Sequence, residues 1–171
     1  PGNMALLART STHVMSSMAD SYFNSLLLIP VMMMLLLTSV RLGLLSMVPN
    51  VLPILAVLGV MGWLGMPLDT FSMLAGSIAL GLIVDDSVHF FHNYARFHRE
   101  HGDVGRAIEA TIRVTGRSMV HATVILSAAF AGFALSQMHN VRDFGIVMVL
   151  TICLAMLSDL LLSPALLTLM Q

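Results

Sequence analysis

Residues 81–89 of the chain read GLIVDDSVH, and they place two adjacent carboxylates, Asp85 and Asp86, inside a long apolar run. That run extends from about Phe71 to Phe91, and about 20 apolar residues are enough to cross a bilayer as a helix. A charge at the bilayer centre costs at least about 2.5 kcal/mol even on lenient insertion scales, so intramembrane carboxylates usually have a partner, a proton or a function. Asp85 and Asp86 are therefore the candidate functional centre.

The composition of the whole chain is that of a membrane protein. Hydrophobic residues make up 57% of the 171 residues and charged residues only 10%, whereas soluble domains carry about 25% charged residues. The net charge is −1, and the eight basic residues are all arginines scattered between apolar runs. This distribution provides no basic surface for nucleic acid, so we predict that membrane lipids are a partner and nucleic acid is not.

The apolar runs predict an all-α fold, a polytopic bundle of about five transmembrane helices with a short amphipathic cytoplasmic helix. Each run is bounded by charged residues, prolines or glycines, which mark its ends. The predicted spans are Tyr22–Val40, Val51–Leu64, Phe71–Phe91, Ser118–Gln137 and Phe144–Leu169.

The segments between these spans are predicted to be short, except for one. Residues 42–47 form a connection, and residues 65–70 form a turn in which Asp69 or Thr70 caps the third span. Pro30 should kink the first span at most, because membrane helices tolerate proline. We expect residues 1–20 to be the tail of a preceding extracytoplasmic domain, with a short helix approaching the membrane, and residues 21–171 to form the transmembrane domain.

The exception is residues 95–117, which we predict to be a long polar loop. Within it Val104, Ile108 and Ile112 recur every four residues, which is typical of a short amphipathic helix on the membrane surface. This helix is either a connector packed on the bundle or a lipid-sensing element. Arg41 and the five arginines of the loop lie on one side of the membrane, while Arg9 and Arg142 lie on the other. The positive-inside rule then makes the loop cytoplasmic.

The third span is expected to lie at the centre of the bundle, because small residues precede its acidic pair and allow close helix packing. These residues are Ala75, Gly76, Ser77, Ala79 and Gly81. Helical periodicity places Asp85, His89 and His92 on one stripe and Asp86, His89 and Asn93 on the next, so His89 lies beside both carboxylates.

The carboxylate pair has the chemistry of a proton carrier, because a low dielectric and a neighbouring carboxylate both favour the protonated form of a carboxyl group. Asp85, Asp86 and His89 are the predicted proton relay. The alternatives are that the aspartates only accept hydrogen bonds from another helix and that His89 is a neutral, satisfied group.

Other polar residues within the spans have weaker signals. Thr123 and Ser127 are the candidate relay partners, unless their hydroxyls bond the carbonyls four residues earlier. Asp159 is interpreted as a packing or interfacial group. Asp85, His89 and His92 share one face, but no metalloenzyme motif accompanies them. We predict no metal, no cofactor and no enzymatic activity.

The order of several short motifs resembles the transmembrane part of the resistance-nodulation-division (RND) superfamily, in its MMPL and sterol-sensing-domain-like branch. The motifs are RLG at 41–43, PNVLP at 49–53, GWLGMPLD at 62–69 and GLIVDDSVHF at 81–90. Gly116-Arg117 before the fourth span and Phe144-Gly145 at the start of the fifth also fit. The resemblance covers about residues 20–171.

This resemblance implies a proton-driven exporter of hydrophobic or lipidic compounds in the inner (plasma) membrane, built from two similar halves. The five spans correspond to the last five spans of one such half. Because nothing follows the fifth span, we expect this to be the second half of the protein, which would pair with a missing N-terminal half. Whether the protein forms a homo-oligomer stays open. Many MMPL-like members have Asp-Tyr at the position of Asp85-Asp86, so Asp86 is either a second proton site or a hydrogen-bond acceptor. A sterol-sensing lipid-binding module and a protein-export accessory subunit are the alternative functions.

Overall fold

The computed structural model describes residues 2–169, and in this part of the chain every regular element is a helix. Seven α-helices and one π-helical segment follow one another: α1 (Gly2–Leu37), α2 (Val40–Leu45), α3 (Met47–Trp63), α4 (Thr70–His101), α5 (Val104–Thr111), the π segment (Ile112–Gly116), α6 (Arg117–Ala134) and α7 (His139–Leu169).

Five stretches of this chain are long and apolar enough to cross a membrane. They are Ser16–Leu37, Val40–Trp63, Thr70–His101, Val104–Ala134 and His139–Leu169. This agrees with the five spans predicted from the sequence and confirms the all-α class, because lipid-exposed backbone must satisfy its hydrogen bonds within each segment.

The first two spans differ from their predicted boundaries. Helix α1 is continuous from Gly2 to Leu37 and passes through Pro30 without ending. Thr38 then adopts a left-handed conformation with φ of 48°, and Ser39 caps α2 by accepting from the Leu42 N–H at 3.4 Å. The prediction of a simple connection at residues 42–47 is therefore wrong, because most of it is α2.

The prediction of a long loop at residues 95–117 is also wrong. Helix α4 continues to His101 and ends at Gly102, whose φ of 66° suits glycine at a helix end. Its polar extension is supported by side-chain pairing one turn apart, as between Arg96 and Glu100 at 3.5 Å. Asp103 then caps α5 by accepting from Arg106 N–H at 2.8 Å.

The amphipathic helix predicted inside that loop is present as α5. Ile108 is buried and Val104 is half-buried against the bundle, whereas Ile112 is exposed and already belongs to the π segment. The N-cap predicted for the third span is confirmed as well, because Asp69 accepts from Ser72 N–H at 2.8 Å.

Two apolar clusters hold the bundle together, and α4 contributes to both. One contains Met33, Leu37, Phe90, Phe91, Tyr94, Phe97, Ala107, Ile108, Met119 and Leu167. The other contains Val57, Met61, Ala75, Ala79, Val147, Met148 and Ile152. Helix α7 also contributes to both, through Leu167 and through Val147, Met148 and Ile152, so α4 shares with α7 the central position that its small residues predicted.

The predicted topology can be tested at two exposed helix ends. In a Cys153→Ala background, cysteine at Gly102, after α4, should react with an impermeant thiol reagent from the cytoplasmic side. Cysteine at Asn140, in the first turn of α7, should react from the opposite side. Both positions are exposed. Labelling of both from one side would rule out the predicted orientation.

Candidate functional site

Asp85 and Asp86 lie halfway along helix α4. Asp85 is the sixteenth of the 32 residues of α4 (85 − 70 + 1 = 16), so its distance from either helix end is about 24 Å at 1.5 Å per residue. Its Oδ1 is 3.7 Å from His89 Nε2, one turn away, and the two side chains are 71% and 67% exposed. The structure therefore brings together Asp85 and His89 on an open face of the five spans.

Asp86 and His89 share a cleft with residues on the neighbouring span. The cleft has a volume of about 330 Å³, and α4 lines one wall with Asp85, Asp86, His89 and Asn93. The π segment and α6 line the other wall with Val114, Thr115, Ser118, Met119 and Ala122. At one end the two walls are joined by a hydrogen bond of 2.9 Å, which Asn93 Nδ2 donates to Thr115 Oγ1.

The π segment that forms part of this second wall was not predicted. It joins α5 to α6 without a break, and Thr115 and Gly116 are its buried residues. A Cβ atom on Gly116 would lie 3.1 Å from Leu160 Cδ2, so the absence of a side chain lets α7 pack closely here. π-Helical turns interrupt the regular ladder of an α-helix and are frequent at functional sites.

Behind the acidic pair, α7 contributes a third aspartate that is completely buried. Asp159 has an exposure of 0%. Its Oδ1 accepts from Ser87 Oγ on α4 at 2.7 Å and from Ser163 Oγ at 3.3 Å. Asp86 directly precedes Ser87, so the hydrogen bond from Ser87 puts the Asp86 backbone at the level of Asp159. The burial of Asp159 and its hydrogen bond with Ser87 on α4 support the packing role that the sequence suggested.

The remaining candidates lie outside the cleft. Thr123 is buried and its Oγ1 has no hydrogen-bond partner in the described part of the chain. Ser127 Oγ is 3.6 Å from Cys153 Sγ on α7. His92 is exposed and does not line the cleft. The face that α6 presents to the acidic pair carries Ser118 and Ala122 instead of the predicted Thr123 and Ser127.

A family model describing the AcrB/AcrD/AcrF family matches residues 3–171. The chain belongs to this family. It is 32% identical to a membrane protein of Methanocaldococcus jannaschii over 68% of its length. It is 27% identical to the toluene efflux pump membrane transporter TtgB of Pseudomonas putida over 97%, and 28% identical to the multidrug export protein AcrF of Escherichia coli over 84%.

The matches cover only 32%, 17% and 14% of the lengths of those three relatives, in the same order. Membership of the AcrB/AcrD/AcrF family confirms the predicted RND superfamily. The MMPL and sterol-sensing-like branch stays a prediction.

Proposed function

We propose that this chain forms part of a proton-coupled secondary active transporter that exports hydrophobic or lipidic compounds, with Asp85, Asp86 and His89 as the proton relay. The observation that carries the proposal is the placement of these three groups in one cleft halfway along a membrane-spanning helix. Membership of an AcrB/AcrD/AcrF-type family supports the transporter class, and the names of relatives that are efflux pumps support export.

The geometry suits transfer of a proton along α4. A separation of 3.7 Å between Asp85 and His89 is longer than a direct hydrogen bond, so a small side-chain rotation or one bridging water completes the contact. The open cleft gives that water access to both carboxylates. A proton accepted by Asp85 or Asp86 removes one negative charge from α4, and each protonation state then favours a different packing of α4 against its neighbours.

The exposed side of the relay also indicates what lies next to it. Asp85 and His89 are polar groups in the middle of a span, and such groups face a bundle interior or a water-filled cavity and not lipid. We propose that further spans of the same transporter cover this face, supplied by an N-terminal half or by another copy. We further propose that the protein lies in the inner membrane, with residues 95–117 on the cytoplasmic side.

A lipid-binding module without pump activity is the second candidate, and a specific cavity favours it. An apolar cleft of about 380 Å³ lies between α1, α3 and α4 and reaches Val147 and Thr151 on α7. Its walls are mostly apolar, with Tyr22, Ser72 and Thr151 as the hydroxyl-bearing residues, which suits a hydrocarbon chain. The same cleft would serve a transporter as a substrate site, so only the coupling to protons separates the two functions.

Reconstitution into liposomes distinguishes them. The complete transporter should extrude the lipophilic dye Nile red when a pH gradient is imposed, and dye movement should dissipate that gradient, measured with an internal pH indicator. A lipid-binding module should bind the dye with no effect on the gradient. Liposomes without protein are the control, and dye binding with an unchanged gradient would contradict the proposal.

A further inference from the structure

A layer of buried polar side chains lies between the two apolar clusters of the bundle. Its members come from α3, α4 and α7: Asn50, Ser87, Ser158, Asp159 and Ser163, each no more than 5% exposed. Ser158 Oγ donates to the Pro49 carbonyl at 3.1 Å and Ser87 Oγ to Asp159 at 2.7 Å. These two bonds fix the three helices at one level, at the depth of the acidic pair on α4.

Asp159 has no cation with which to form an ion pair in the described residues. Helix α3 carries no titratable side chain, and on α4 the residue that precedes Ser87 is the acidic Asp86. Arg106 and Glu109 of α5 and Arg117 and His121 of α6 are exposed, and none forms an ion pair with Asp159 within 4.0 Å. An isolated buried carboxylate is so costly that the group takes up a proton instead.

The hydrogen bonds show which oxygen carries that proton. Both hydroxyl donors, Ser87 and Ser163, point at Oδ1, while Oδ2 has no partner. A carboxylic acid has one oxygen that accepts and one that donates. Oδ1 is therefore the carbonyl oxygen of a protonated Asp159, and Oδ2 is its hydroxyl.

Asn50 on α3 is a buried amide in the same polar layer as Asp159. Its exposure is 1%, and neither its Oδ1 nor its Nδ2 has a hydrogen-bond partner. It follows Pro49, whose carbonyl is bonded by the residue preceding Asp159. Unsatisfied buried amides are costly, and a hydrogen bond from the Asp159 hydroxyl to the Asn50 amide oxygen would give Asp159 Oδ2 and Asn50 Oδ1 a partner.

We propose that Asp159 is a further proton-carrying residue of the transport cycle, which exchanges its proton with Asp86 at the level of Ser87 and holds it against Asn50 between exchanges. This deepens the proposed function and rests on it. In the exchange the proton leaves Asp159 Oδ2 and binds a carboxylate oxygen of Asp86. One negative charge moves in the opposite direction, so the pair never holds two charges.

Because of this exchange, the packing of α4 against α7 depends on whether Asp159 is protonated. Ser87 is the neighbour of Asp86 in sequence and the donor to Asp159 in space. Its hydrogen bond to a carboxylate is about twice as strong as its bond to a neutral acid. Loss of the proton from Asp159 therefore tightens the contact between α4 and α7, and its return loosens that contact.

Infrared spectroscopy of the complete transporter tests the protonation directly. The wild type at neutral pH should show the carbonyl band of a protonated carboxylic acid. Asp159→Asn should lose this band, whereas Asp86→Asn should keep it. Ser87→Ala should keep the band but shift it to higher frequency, because the donor to Oδ1 is removed. Absence of the band from the wild type, or its persistence in Asp159→Asn, would overturn the assignment.

Transport measurements then separate a carrier from a permanently protonated packing group. Asparagine mimics the neutral acid, so Asp159→Asn leaves a packing group intact but should lower gradient-driven Nile red efflux by about 100-fold if the residue carries protons. Ser163→Ala, which removes only the longer hydrogen bond to the same oxygen, is the matched control and should lower efflux by less than about fivefold. Undiminished efflux in Asp159→Asn would overturn the proposal.

Two further results keep this inference distinct from the relay on α4. Loss of the acid band on addition of sodium chloride at constant pH would show that Asp159 binds sodium in place of a proton, and would overturn the proposal. If Asp85→Asn retains full efflux while the Asp159 band behaves as expected, the relay on α4 fails but the protonation of Asp159 stands.

Discussion

Asp85→Asn is expected to abolish proton-driven transport while the protein continues to fold and insert. The substitution keeps the shape of the side chain and its capacity for hydrogen bonds but removes ionisation, so it separates proton carriage from packing. Because the Asp85 side chain is 71% exposed on the surface of these five spans, its replacement disturbs no buried contact among them. The rate of Nile red efflux under an imposed pH gradient should fall by about 100-fold or more.

Substitutions at the neighbouring residues Asp86 and His89 should have smaller or equal effects on efflux. Asp86→Asn should impair efflux as severely if the carboxylates titrate as a pair, and less if Asp86 only orients Asp85. His89→Ala should slow efflux without abolishing it, because water in the open cleft can replace the imidazole. The amount of each variant in the membrane is the control. Undiminished gradient-driven efflux in Asp85→Asn would show that this carboxylate is only a packing group.

The parts of this site that follow from local periodicity could be predicted from the sequence. Asp85 and His89 are four residues apart on a helix, so their contact requires only that the apolar run be helical. The capping role of Asp69 is local in the same way. The five spans follow from length and apolarity alone. Each of these inferences depends on residues within a few turns of one another.

The parts that depend on how helices meet could not be predicted. Ser87 and Asp159 are 72 residues apart, and nothing in either local sequence indicates that they form a hydrogen bond. Thr123 and Ser127, the predicted relay partners, do not line the cleft, to which α6 contributes Ser118 and Ala122. Hydroxyl spacing alone does not define which face of a span points inward.

The error at residues 95–117 has a different cause. The charged residues of this segment favour a loop by composition. Arg96 and Glu100, however, are spaced one turn apart, and such a pair stabilises a helix. Helix α4 ends there at Gly102, which has a left-handed conformation, and Asp103 then begins α5 as its N-cap. The change from apolar to charged residues marks the point where α4 leaves the apolar region, but the helix itself continues to His101.

The close contact between α6 and α7 leads to the second large effect, which concerns stability. A Cβ atom at Gly145 would lie 2.6 Å from the Ala134 backbone nitrogen and 2.9 Å from both the Phe130 carbonyl oxygen and Phe133 Cβ. Two of these three atoms belong to the backbone of α6, so no side-chain rotation relieves the clash. Gly145→Ala must therefore move the two helices apart.

We expect Gly145→Ala to lower the free energy of unfolding by about 1–3 kcal/mol, the range for overpacked sites. Part of the loss comes from Phe144, whose ring lies 6.0 Å from that of Phe130 and 5.7 Å from that of Phe133, because separation of the helices weakens both contacts. The measurement is unfolding of the purified protein in detergent, followed by circular dichroism. Gly145→Leu should prevent stable folding.

Gly132→Ala on α6 is the matched control, because a Cβ atom there has no neighbour within 4 Å. It gains helix propensity worth up to about 1 kcal/mol and loses no contact, so it should be neutral or stabilising. Equal stability of Gly145→Ala and Gly132→Ala would mean that α6 and α7 tolerate a wider separation.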